Sequence, residues 1–375
     1  MAQRAIPAAF IRGGTSKGLF FHERDLPTEP AARDRLFLAA IGSPDPNGRQ
    51  LDGMGGGISS LSKVVFVAPS ARVDADVDYT FAQVAVDRTL VDYHSNCGNL
   101  TSAVGPFAID EGLLRPADGW TSLRLFNRNS GKTVVARFAV AEGRAVTAGD
   151  FALQGVAGSG APIRLDFQQP GGAVTGRLLP TGSALDRLDV PGVGQVEASL
   201  VDATTAAVFV SAGTVGWRGT ELPDELERDR DALLKLEAVR RAAAVAMGLP
   251  ADSQSVPKIA VLAPAAAART LSGETLPESA MHLTARMLSM GRPHRALPLT
   301  GAMCLAVAAR LPGSLPQRLL AGAIDGDIRI GQPSGILPVN ARVLSSTTGA
   351  GWQAAGVEVI RTQRRLMDGQ VYVSA

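Results

Sequence analysis

Aromatic side chains are scarce in this chain. Phe, Trp and Tyr make up 5% of its 375 residues, although apolar residues together reach 46%. The cores must therefore be built from Ala, Val, Leu and Ile. Histidine is equally thin, at four residues (His22, His94, His282, His294), and cysteine occurs twice, as Cys97 and Cys304. Neither cysteine belongs to a C-x-x-C pair, so the Cys/His sets of zinc sites find no counterpart and no metal is expected. A disulfide between the two stays open from the sequence, although nothing points to export. Net charge is nearly absent, with 37 basic and 35 acidic side chains giving +2. A nucleic-acid stripe or a polybasic membrane patch needs clustered charge, and none is present. Long apolar runs are missing too. None approaches the ~18 residues of a membrane span, and residues 1–7 carry no signal-peptide core. The expectation is a cytoplasmic protein with reduced thiols, without nucleic-acid or membrane partners.

The common catalytic signatures are also missing. Ile58 stands where the glycine run 53–57 would need a third Gly or Ala for dinucleotide binding. Lys17 is followed by Gly18 and Lys63 by Val64, so neither glycine passage ends as a P-loop does. No G-x-S-x-G elbow occurs. Carbon-acid chemistry that needs no cofactor is left open.

The most informative segment is Asn96-Cys97-Gly98-Asn99, running into Leu100-Thr101-Ser102-Ala103. A thiol sits there between two amides and against a glycine, where a helix begins. Helix N-termini present unpaired N–H groups and partial positive charge, which favour anions. Cys97 is thus a candidate acid–base group beside a carboxylate-binding helix end. The alternative reading is a small buried hydrophobe.

Glycine (41) and proline (23) punctuate the chain without clustering into disorder. Strands are expected over 6–11 and 19–21 around a glycine turn, then over 64–67, 78–86, 123–126, 134–140 and 163–167. A second set is expected over 194–201, 206–210, 258–262, 339–343 and 355–361. Helices are expected over 30–41, 100–112, 224–247, 281–290 and 300–309. For 224–247, Asp224 is the expected cap, Glu227 its capping-box partner and Gly248 its stop. Helices 100–112 and 300–309 are apolar nearly all round and belong at domain centres. Both open with small polar residues after a strand-rich stretch, which suggests an internal duplication with a boundary near residue 185.

Several segments together resemble the PrpF family of 2-methylaconitate isomerases. They are Arg12-Gly13-Gly14-Thr15-Ser16-Lys17-Gly18, Gly42-Ser43-Pro44-Asp45, Asp52-Gly53-Met54-Gly55-Gly56, Ser62-Lys63, Asp76-Val77-Asp78-Tyr79, Asn96-Cys97-Gly98-Asn99 and Gly331-Gln332-Pro333-Ser334-Gly335. The pattern spans nearly the whole chain and is more distantly similar to diaminopimelate epimerases. The resemblance implies an α/β (α+β) fold of two similar halves, 1–185 and 186–375, the last strand crossing back to the first half. Each half would be a curved, mostly antiparallel sheet around a central helix, with the active site between the halves.

For function, the resemblance implies a cofactor-independent isomerase moving a proton between allylic carbons of an unsaturated di- or tricarboxylate. Lys63 occupies the family's lysine position and Cys97 its thiol position. Epimerases carry a second cysteine two residues before a Thr-Gly-Ala; here that residue is Pro298, which cannot transfer a proton. A two-thiol racemase is thereby disfavoured, and Cys304, inside the helix, reads as core. Arg12, Gly14, Thr15, Ser16, Lys17, Asn96, Gly98, Asn99, Leu299, Thr300, Gly301 and Ser334 are the expected substrate-binding residues. A lysine amine, ordinarily near about 10.4, must be desolvated or placed near positive charge to serve as a base. The 2-methylaconitate type is favoured. A 4-oxalomesaconate tautomerase, a methylitaconate delta-isomerase and, in another class, a non-catalytic carboxylate-binding accessory protein are the alternatives. The oligomeric state is open, a homodimer included.

Overall fold

The computed structural model describes residues 3–93, 97–253, 256–289, 291–320, 322, 324–345 and 351–374. The chain divides into two compact units. Unit 1 comprises Met1–Phe167 with Ile360–Ala375, and unit 2 comprises Gln168–Val359.

Unit 1 starts with a hairpin. Strand Gln3–Gly13 turns through Gly14 and Thr15 into the antiparallel strand Ser16–His22, with Arg12 opposite Lys17 and Gly13 opposite Ser16. On its other edge, Gln3–Gly13 pairs antiparallel with the last strand, Gln363–Ser374. Helix α1 (Pro30–Ile41) makes a crossover to strand Lys63–Pro69, which lies parallel to Ser16–His22. Glu29 caps α1 through the N–H groups of Ala31 and Ala32, and Gly42 closes it at φ 82°. Strand Val77–Val84 returns antiparallel to Lys63–Pro69. Helix α2 (Gly98–Asp110) then leads to Gly119–Asn127, parallel to Val77–Val84 and antiparallel to Lys132–Ala141.

The five residues 63–67 are all buried, because both faces of their strand are covered. Val64 and Phe66 join Phe37 and Ile41 of α1 in one apolar cluster. The alternate residues face the other way, toward α2, which touches six further strands besides this one. Leu100 to Ile109 of α2 are buried throughout. A helix enclosed by sheet must be small and apolar all round, and Gly105 lets it approach the Phe138 ring.

Unit 2 repeats this plan. Strands Gly194–Asp202 and Ala206–Ser211 form the hairpin. Helices α3 (Pro223–Arg228) and α4 (Arg230–Ala246) make the crossover to Lys258–Pro264, parallel to Ala206–Ser211. Strand Leu283–Ser289 returns antiparallel. Helix α5 (Leu299–Ala308) leads to Ile328–Gln332, parallel to Leu283–Ser289, and Gly335–Ser345 pairs back on it. Strands Lys63–Pro69 and Lys258–Pro264 thus hold the same station in their units, and each opens with a lysine and closes with Ala-Pro. Helix α5 is buried from Gly301 to Ala308, as α2 is.

Several sequence expectations need correction. The single helix over 224–247 is two. Asp229 interrupts it and caps α4 through Ala232 N–H, while Glu225, not Glu227, reaches back to the Leu222 N–H. The helix over 281–290 is strand Leu283–Ser289, because two strands flank it and take up its backbone groups. The units separate at Phe167/Gln168 instead of 185. Residues 170–178 are tied to unit 2 at Asp202 and Thr204 through Gly172 N–H, Leu178 C=O and Pro170 C=O. Among the described residues, no helix is long and apolar enough to cross a membrane.

Candidate active site

Cys97 is the N-cap of α2, with extended backbone (φ −121°, ψ 90°), and no side chain caps this helix. The first N–H groups of a helix have no intrahelical acceptor, so they and the helix dipole face outward beside the thiol. The thiol is 8% exposed. Its sulfur lies 4.0 Å from Ser16 Oγ, at the start of the second hairpin strand. Thr101 fastens the cap from within the helix, its N–H and hydroxyl donating to Cys97 C=O at 3.1 and 3.0 Å. The Thr101 hydroxyl also meets Tyr79 OH at 3.0 Å, and Asn127 Nδ2 donates to that phenol at 2.9 Å. Burial raises the Tyr79 pKa, so it stays a neutral support.

Lys63 opens its strand and is also 8% exposed. Its Nζ donates to Gln83 Oε1 at 2.5 Å and lies 4.9 Å from the centre of the Phe81 ring. Gln83 Nε2 donates to the carbonyls of Ser59 and Ser62, which leaves Oε1 as the acceptor turned to the amine. No carboxylate among the described residues pairs with Lys63. A Cβ at Gly18 would collide with the Lys63 carbonyl, so glycine is what lets the strand bearing Ser16 lie against Lys63. The short stretch 16–18 is therefore flanked by the thiol at one end and the lysine backbone at the other.

The glycine turn packs against Asn99. Gly14 has φ +53°, and a Cβ there would strike Asn99 Oδ1. Asn99 Nδ2 donates to Thr15 Oγ1 at 3.0 Å. Arg12 Nη1 donates to the carbonyls of Gly14 and Thr362, each at 3.0 Å, and Gly14 N–H donates to Thr362 C=O at 2.9 Å. Burial, with a smaller contribution from Arg364, holds the Arg12 pKa below its usual value.

Cys97, Gly98, Asn99, Gly14, Thr15 and Ser16 thus form one neighbourhood, with Arg12 supporting the turn. Lys17 departs from expectation. It alternates with Ser16 to the other face of the hairpin, where its ammonium lies 5.4 Å from the Phe10 ring, in the cluster under α1. Asn96 lies outside the described residues, as does His94.

Leu299, Thr300, Gly301 and Ser334 belong to unit 2. Pro298 caps α5, again without a side-chain cap. Thr204 Oγ1 donates to Thr300 C=O at 2.7 Å, and Gly301 makes room for Met287. Ser334 sits in a tight turn between Gln332 and Gly335, its hydroxyl donating to Arg295 C=O at 2.6 Å. Lys258 approaches the same helix end at Gly301, and burial lowers its pKa. Cys304 is fully buried inside α5, its thiol pKa pushed up by burial. Both cysteines are free thiols. The resemblance segments at Ser43, Asp45 and Asp52 line a separate hollow of about 710 Å³ that does not include Lys63 or Cys97.

Two residues of this neighbourhood have no local sequence signal. Gln83 meets Lys63 only through strand register. Arg361, whose Nε donates to Asn99 Oδ1 at 3.0 Å, stands 262 residues from its partner in sequence.

A family model described as PrpF protein matches residues 3–374. The chain is 39% identical to the 2-methyl-aconitate isomerase of Shewanella oneidensis, covering 99% of this chain and 97% of that one. It is 37% identical to the 4-oxalomesaconate tautomerase of Pseudomonas putida, covering 100% and 97%. The crystal structure of a methylitaconate-delta-isomerase superposes with a TM-score of 0.89 at 37% identity, covering 100% of this chain and 96% of the other.

Proposed function

Because the chain belongs to the PrpF family, whose members compared above are isomerases and a tautomerase, we propose that it moves a proton between allylic carbons of an unsaturated di- or tricarboxylate. The observation that carries this reading is the pairing of a buried amine, Lys63, and a buried thiol, Cys97, on either side of residues 16–18.

In the proposed reaction, the Lys63 amine removes a proton from the carbon next to the double bond. The electron pair spreads through the double bond into a dienolate that ends on a carboxylate. Protonation at the far carbon, by Cys97 or by the Lys63 ammonium itself, completes the shift. When Cys97 donates, the thiolate regains a proton as the ammonium loses one, and no electron acceptor is needed. General acid–base steps typically contribute about 10²–10⁴-fold. Electrostatic stabilisation of the dienolate must supply much of the rest, and in this reading the α2 N-terminus provides it. Asn99, Thr15 and the backbone of 14–16 hold the substrate, and Arg12 holds the turn. The reaction is placed in the cytoplasm, which suits a free thiol at position 97.

The substrate we favour is of the 2-methylaconitate type, supported by the first relative and by the Gly-Ser-Pro-Asp-Pro and Asp-Gly-Met-Gly-Gly segments. The test is incubation in D₂O with aconitate, 2-methylaconitate, methylitaconate and oxalomesaconate, followed by NMR. Deuterium should enter at an allylic position of the preferred acid as its isomer forms. Absence of exchange in all four would sink the reading.

A further inference from the structure

Arg361 ends strand Trp352–Arg361, belongs to unit 1 and is 5% exposed. A guanidinium carries five N–H donors and accepts nothing. Here Nε donates to Asn99 Oδ1 at 3.0 Å and Nη1 to Ile360 C=O at 2.7 Å. Both acceptors are neutral. Among the described residues, no carboxylate stands within ion-pair distance of Arg361.

Other arginines of the unit show the ordinary solution. Arg365 pairs with Glu111 at 2.7 Å, Arg124 with Asp76 at 2.7 Å and Arg128 with Glu23 at 2.7 Å. Each of those is more exposed than Arg361 and has its counter-ion. Arg361 is the more buried cation and has none. Burial lowers its pKa to about 10. Its partner Asn99 lies in the first turn of α2, where the helix end is itself positive. Burying a charge without a partner is costly, and placing it beside a second positive region adds to the cost. An anion at this point would relieve both.

We propose that Arg361 is a carboxylate-binding residue of unit 1, its free guanidinium edge and the N–H groups opening α2 sharing one carboxylate of a polycarboxylate ligand. Asn99 sets the guanidinium plane through Nε and faces Thr15 with its other end. Planar, forked recognition of this kind is specific to arginine, and lysine reproduces only its charge. The identity of the ligand as a polycarboxylate rests on the function proposed above.

The probe is tricarballylate, a saturated tricarboxylate that cannot isomerise, titrated into the full-length protein by calorimetry. Arg361→Gln should weaken its binding at least tenfold, and Arg361→Lys by several-fold, with melting temperature and circular dichroism reporting the fold. Guanidinium ion added to Arg361→Ala should restore part of the affinity, which a purely structural arginine would not predict. Should Arg361→Gln fail to fold, Arg361→Lys decides. Wild-type affinity in either folded variant, or no tricarballylate binding by the wild type, overturns the assignment. Allylic exchange in D₂O that persists alongside unchanged R361Q affinity removes Arg361 and leaves the isomerase. Lost R361Q affinity without exchange in the wild type removes the isomerase and leaves the anion site.

Discussion

Lys63 and Gln83 stand directly opposite each other in an antiparallel strand pair, and the lysine Nζ donates to the glutamine Oε1 at 2.5 Å. The amide is fixed from behind by two backbone carbonyls, so it presents only its oxygen. This pins the amine while leaving it without a carboxylate counter-ion among the described residues. Removing the amine by Lys63→Ala should lower kcat by about 10²–10⁴-fold, the span of general acid–base assistance. Gln83→Leu should lower kcat by a smaller factor with little change in KM, because the amine stays and only its orientation is lost. Steady-state kinetics on both variants checks this, and full activity in Lys63→Ala would remove the mechanism.

The two cysteines should separate cleanly. Cys97→Ser should strongly reduce deuterium incorporation, leaving only the activity that Lys63 sustains alone. Cys304→Ala should keep full activity and lose about 1 kcal/mol of stability, since it deletes one buried atom from α5. Urea unfolding and the D₂O assay on the same samples distinguish the two. A thiol reagent added to native protein should mark Cys97 before the fully buried Cys304.

Gly14→Ala is expected to harm both stability and binding. The backbone at φ +53° disfavours any L side chain, and the new methyl group would strike Asn99 Oδ1. A cost on the order of 1–3 kcal/mol is expected from such a strained position. Because Asn99 also meets Arg361, tricarballylate affinity should fall beyond what the melting temperature alone accounts for.

Unit 2 should show a pH dependence centred on His294. Burial, with a smaller contribution from Lys258, pushes its pKa down from 6.5 to about 4. Its Nε2 is buried without a hydrogen-bond partner among the described residues. The unfolded chain therefore takes up the proton first as pH falls. The stability involved is full above pH 6.5 and is lost as the pH drops through about 4. The loss should be roughly 3 kcal/mol, and His294→Phe should remove most of that slope. Denaturant titrations at several pH values give the comparison, and equal slopes in both proteins would refute it.

Local signals were the readable part of this molecule. The thiol at a helix start shows in Asn96-Cys97-Gly98-Asn99, because a small polar cap followed by an apolar run is a short-range pattern. The enclosed helices α2 and α5 show for the same reason. Strand Leu283–Ser289 was misread because a segment buried on both faces carries no alternation, and its buried Arg286 imitates a polar helix face. Lys17 lies on the face opposite Ser16 because pleat alternation sends neighbours to opposite faces, which a glycine-rich turn does not show in sequence. Gln83 and Arg361 were invisible because strand pairing and long-range packing bring them into place. Residues 168–185 fall in the first half by sequence, yet the Asp202 carboxylate collects the N–H groups of Val174 and Thr175 and binds the segment to unit 2.

The first strand of unit 1 is sandwiched between its hairpin partner and the chain's final strand. This ordering bears on biosynthesis. A ribosome emits unit 2 as one uninterrupted stretch, but it delivers the strand Gln363–Ser374 only after the whole of unit 2. Nascent unit 1 must wait with an open sheet edge, and open edges invite pairing with other chains. Arg361 and Thr362, which brace Asn99 and the glycine turn, immediately precede that strand and also follow unit 2. The unit that carries Lys63 and Cys97 is therefore completed only after unit 2 has been made. Removing residues 361–374 would leave both groups present but unsupported.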